Sequence, residues 1–141
     1  MKMTTGKIVN LYEVLSGAKL TKMDDADKFL VIKALRVLKP IAESFEAYKR
    51  DASERLKPED FDSIVEKAQK WNELTEEERA SINKSLIAYN NSVNKCIADE
   101  LAAEVEVEFK KLSESAFEKL MASNDWEASK ALLVADETVE L

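Results

Sequence analysis

Between positions 25 and 57, apolar side chains recur in alternating steps of four and three. Val31, Leu35, Leu38, Ala42, Phe45, Ala52 and Leu56 hold this seam, and Lys49 is its one polar member. Seven residues per two turns is the period of a helix packed lengthwise on another helix, so the stretch predicts a long helix with one apolar edge. Ile32, Ile41 and Tyr48 widen that edge. Pro40 stands inside the pattern, where its ring removes a backbone hydrogen bond and crowds the carbonyl four residues back. The apolar phase runs through it unchanged, which predicts a kink rather than a break.

A partner for this helix is legible downstream. Thr75 and Glu78 form the S/T-x-x-E pattern in which two side chains satisfy each other's free amides at a helix start. Ile82, Leu86, Tyr89, Val93, Ile97 and Leu101 then step by three or four, predicting a second long helix over 76–103. Shorter helices are expected at 7–16, after Pro58 with Phe61, Ile64, Val65, Ala68 and Trp71 inward, after a Ser113 cap, and after an Asn124 or Asp125 cap. Gly17 stands where a helix end often turns left-handed. The chain holds two glycines and two prolines in 141 residues. Sheet-rich folds need turns at short intervals, so the scarcity favours long helices joined by few loops. The fold class predicted is mostly α: one domain over 1–141, an antiparallel bundle of two long helices plus shorter ones, with 1–4 and the last few residues disordered.

One segment breaks the helical reading. At 104–110, Val105, Val107 and Phe109 alternate with Glu104, Glu106 and Glu108. As a strand it turns the apolar side chains to the core and the glutamates to water. As a helix, Leu101, Val105, Phe109 and Leu112 make an equally good stripe, with Glu100, Glu104 and Glu108 along another face. The β-branched and aromatic content favours a small two-stranded element. Its candidate partners are the KIV stretch at 7–9, the TVEL terminus, or another molecule.

The chain contains no histidine and one cysteine, Cys96. Imidazole-based acid–base catalysis, His-activated nucleophiles and imidazole or thiolate metal sites therefore have no residues to work with. No glycine-rich loop exists to cradle a phosphate. Asp24, Asp25 and Asp27 lack the spacing of a calcium loop and read as helix-start acids. No cofactor, metal or small-molecule substrate is expected, and no enzymatic activity. Cys96, beside Val93 and Ile97, reads as a small buried apolar residue.

Charge is unevenly distributed. Residues 1–58 carry 12 Lys/Arg against 8 Asp/Glu, a net +4, and 59–141 carry 9 against 20, a net −11. That polarity suits halves that lie against each other, or head-to-tail association of copies. It opposes nucleic-acid binding, and pairs such as Lys39–Glu43, Glu46–Arg50 and Arg50–Glu54 are expected to neutralise the basic stripe of the long helix. The sequence has no apolar run of membrane-spanning length and no signal-like amino terminus, so a cytoplasmic protein that does not bind membranes is expected. Candidate partner-binding residues are Glu104, Glu106 and Glu108 on the alternating segment and Trp126 as an aromatic anchor.

The stretches GKIVNLYEVLSG, KFLVIKALRVLKPIAESFEAYKRDA, VEVEFKKLSESAF and SNDWEASKALL, in this order and spacing, cover about half the chain. In them the chain resembles a family of short helical proteins of unknown function encoded in phage and prophage genomes. The resemblance implies a short strand between the long helical pair and a capped helix. It also implies a virion, assembly or host-interaction factor, virion-associated or free in the host cytosol, and it transfers no site residues. The expected function is a non-enzymatic interaction or accessory protein that binds a protein partner or its own copies. The alternative is an acidic inhibitor that mimics nucleic acid on a basic surface.

Overall fold

The computed structural model describes residues 1–140. These form six α-helices and one two-stranded antiparallel sheet. In chain order they are β1 (Lys2–Thr4), α1 (Thr5–Ser16), α2 (Asp25–Arg55), α3 (Phe61–Gln69), a single 3₁₀ turn (Trp71–Glu73), α4 (Glu76–Ala102), β2 (Glu104–Glu106), α5 (Glu114–Ser123) and α6 (Ala128–Thr138). Two compact units emerge: Met1–Phe45 with Leu101–Leu141, and Glu46–Glu100. The helix α2 carries the chain from the first unit to the second, and α4 returns it.

The first unit holds the larger core. Ile8 and Leu11 from α1, Leu38 from α2, Leu120 from α5 and Val134 from α6 are fully buried together. The seam of α2 is the buried edge: Val31, Leu38, Ala42 and Phe45 are buried here, and Leu35 is half-buried. Pro40 lies inside a continuous α2. It and Arg36, whose carbonyl loses its donor, both lie on the exposed side of the helix.

The alternating segment is a strand, shorter than 104–110. Its partner is neither of the two intramolecular candidates. Residues 2–4, expected to be disordered, pair with it in the register Lys2↔Glu106, Met3↔Val105 and Thr4↔Glu104. The KIV stretch belongs to α1 instead, because Thr4 caps that helix two residues earlier than expected, its Oγ1 accepting from the Lys7 N–H at 3.2 Å. The pleat sends Met3 and Val107 inward, and the glutamates stay exposed. The helix α4 ends at Ala102, so Glu100, Glu104 and Glu108 do not share a helix face. The Thr5 N–H and hydroxyl both donate to the Ala103 carbonyl, at 2.8 and 3.2 Å. The last few described residues are also paired: Val139 forms a parallel bridge with Leu112, closed by Leu112 N–H to Thr138 O at 2.7 Å. The TVEL terminus, expected as a candidate strand, includes Leu141, which lies outside the described residues.

Two helix ends differ from expectation. Gly17 is right-handed, at φ −91° and ψ 0°. The chain leaves α1 through a tight turn in which the Ala18 N–H donates to Leu15 O at 3.1 Å, so no reversal of handedness is needed. Asn124 and Asp125 do not cap α6, which begins after Glu127 without a side-chain cap. Asn124 is engaged elsewhere, binding the Lys19 backbone.

In the second unit α2 and α4 run antiparallel. The Tyr48 hydroxyl donates to Cys96 O at 3.4 Å and the Tyr89 hydroxyl to Ser53 O at 2.6 Å, so position rises along one helix as it falls along the other. The Thr75–Glu78 box is formed as predicted, with both reciprocal bonds at 3.2 Å. Ala52, Ile64 and Ile82 are its buried apolar residues, and Cys96 is half-buried rather than fully enclosed. Pro58 precedes α3 instead of opening it, its carbonyl accepting the Phe61 N–H at 3.0 Å.

Candidate functional site

In the first unit, α1 and α6 also run antiparallel. Lys7, near the start of α1, pairs with Glu137, near the end of α6, at 3.3 Å. At the opposite end Gly17, just past α1, faces Trp126, just ahead of α6. Between them lies an open groove of about 600 Å³ lined by Asn10, Glu13, Val14 and Gly17 on one wall and Trp126, Ser129, Lys130 and Leu133 on the other.

The lining follows from helical periodicity. Leu11 and Leu15 turn into the core, so Asn10, Glu13, Val14 and Gly17, at steps of three, one and three, fall on the flank of α1. Val134 and Thr138 are the buried side of α6, leaving Ser129, Lys130 and Leu133 beside the groove. Val14, Leu133 and Trp126 are half-buried and packed on the core, giving the groove an apolar floor. Glu13 and Lys130 line it without an ionic partner among the described residues, whereas Lys7, Asp24, Lys119 and Glu137 in the same unit are paired. Among the described residues no buried side-chain nitrogen or oxygen lacks a hydrogen-bond partner. The Trp126 indole N–H, which has no acceptor among the described residues, is therefore open to solvent.

The four candidate residues are not gathered at one place. Trp126 is a wall of the groove. Glu104 and Glu106 are exposed on β2, and Glu108 is exposed just beyond it; Glu106 faces the Met1 amine at 3.1 Å. None of the three carboxylates lines the groove. Sequence reasoning missed Asn10, Glu13, Val14, Gly17, Ser129, Lys130 and Leu133 as a set, because more than a hundred positions separate the two walls.

The displaced titrations lie in the second unit. Burial, and then the nearby Cys96 thiol, hold the Tyr48 phenol above its ordinary range. The hydrogen bond that the Lys57 ammonium donates to the Glu54 carboxylate, at 3.0 Å, holds Lys57 above its ordinary value. Among the described residues no three Cys, Asp or Glu side chains converge as a metal site would require. No helix there is long and apolar enough to cross a membrane. What the groove offers chemically is contact: an apolar floor, one free indole donor and one charge of each sign.

No family model, curated protein or solved structure matches the chain.

Proposed function

We propose that the chain is a non-enzymatic interaction factor, an accessory or assembly protein of phage or prophage origin acting in the host cytoplasm. Its groove between α1 and α6 receives a segment of a protein partner. The observation that carries this reading is Trp126, half-buried on the groove with its N–H unengaged, between an unpaired Glu13 and an unpaired Lys130. An apolar side chain seated against Val14, Leu133 and Trp126 removes their surface from water, and tryptophan concentrates binding energy where one edge is apolar and the other wet. Opposite charges on the two walls orient the incoming segment. A volume of about 600 Å³ lies in the range of ligand-sized clefts.

The acidic-inhibitor reading has less behind it. Glu106 and Glu137 each face a cation, and Asp24 is taken by Lys119 at 3.3 Å, so these three carboxylates are withdrawn from an anionic surface.

The test is affinity capture from the organism that encodes the protein, comparing the wild-type chain with Gly17→Leu and Trp126→Ala. A discrete partner retained by the first and lost by both variants supports the reading. Equal capture by all three contradicts it.

A further inference from the structure

A second surface has a different chemistry. From 28 to 42 the chain contains Lys28, Lys33, Arg36 and Lys39 and not one acid. Of the side chains here that face water, two are large and apolar: Phe29 is 47% exposed and Ile32 39%. At 100° per residue Phe29, Lys33, Arg36 and Pro40 fall within about 60° of one another, with Ile32 at the margin. All five are exposed. Lys28 and Lys39 are held by Asp25 and Glu43, each at 3.9 Å. Among the described residues Lys33 and Arg36 form no ion pair; the Lys33 ammonium instead lies 4.7 Å from the centre of the Phe29 ring.

We infer that this face of α2 docks an acidic amphipathic helix of a partner protein. A solvent face of an isolated helix ordinarily carries paired charges of both signs, whereas here two free cations flank an aromatic and a β-branched side chain. Carboxylates on a partner helix complement Lys33 and Arg36, and its apolar edge covers Phe29 and Ile32. The length of the surface favours a helix over a polyanion. The acid-free window is 15 residues, about 22 Å at the helical rise. Asp24, Asp25 and Asp27 bound it at one end and Glu43 and Glu46 at the other. A nucleic-acid duplex or an anionic bilayer runs past both ends and brings its phosphates against those acids. A helix of about four turns ends where the window does.

The surface is distinct from the groove, so the two proposals fail separately. The probe is a fluorescent helical peptide of about four turns with leucines on one face and glutamates on the other. Its counterpart carries lysine for glutamate. Phosphatidylserine–phosphatidylcholine vesicles and a short DNA duplex complete the panel. The glutamate peptide is expected to bind the wild-type chain and Gly17→Leu alike, more weakly as salt rises. Binding is expected to fall about tenfold or more with Lys33→Glu/Arg36→Glu, and that variant is expected to gain affinity for the lysine peptide. Phe29→Ser/Ile32→Ser is expected to weaken the glutamate peptide with its charge dependence intact. Circular dichroism checks that each variant keeps its helices. Failure of the glutamate peptide to bind, indifference to charge reversal, preference for vesicles or duplex, or loss with Gly17→Leu would each overturn the inference.

Discussion

Asn124 holds Lys19 by both sides of its backbone: Oδ1 accepts from the Lys19 N–H at 2.8 Å, and Nδ2 donates to the Lys19 carbonyl at 2.9 Å. The same amide donates to Leu120 O at 2.9 Å. Three residues on, the Lys22 N–H donates to the Ser123 hydroxyl at 3.1 Å. The connection between α1 and α2 is thereby fastened to the end of α5, more than a hundred positions away. Asn124→Ala leaves three backbone contacts unmade and is expected to cost about 1–3 kcal/mol in urea unfolding.

The two glycines are expected to respond oppositely. A Cβ on Gly6 would meet Leu101 O at 3.3 Å, because the start of α1 lies close on the end of α4. Gly6→Val therefore forces backbone apart and is expected to destabilise by about 1–3 kcal/mol. A Cβ on Gly17 meets nothing nearer than Glu13 O at 3.8 Å, and its φ is negative. Gly17→Leu is expected to change stability by no more than about 0.5 kcal/mol while filling one end of the groove. Paired denaturant titrations of the two variants check this.

Thr75→Ala removes the hydroxyl that accepts the Glu78 N–H. About 1 kcal/mol is expected to be lost, and amide exchange in the first turn of α4 is expected to quicken.

Alkaline pH is expected to weaken the second unit. Tyr48 and Lys57 both bind their protons more tightly when folded than when unfolded. Their contribution is complete below the unfolded values and is lost as pH rises through the folded ones, above about pH 10. Melting temperature measured from pH 7 to 11 is expected to fall at the upper end, and less steeply in Tyr48→Phe.

Local signals were legible in the sequence, and distant ones were not. The α2 seam, the Thr75–Glu78 box and the Ser113 cap depend on residues within a few turns of each other, and each stands where periodicity put it. The inward alternation of Val105 and Val107 was also readable. The partner strand was not, since three residues, Lys2–Thr4, are too few to show a period. Asn124 carries the composition of a helix cap, and only the fold brings Lys19 to it. Lys39–Glu43 forms as expected, but Glu46 takes Lys49 and Glu54 takes Lys57, because flexible ammonium side chains compete with Arg50 for the same carboxylates. The groove needs two helix flanks from opposite ends of the chain. Of its lining, only Trp126 was expected to bind a partner, as an aromatic anchor in the sparse region after a helix cap.

The measurement that bears most directly on docking through this groove is site-specific photocrosslinking in the encoding organism, with a benzophenone side chain at position 17. The account predicts one discrete protein adduct from that position and none from the exposed position 66 on α3. No adduct at 17, or the same adducts from both positions, would contradict it.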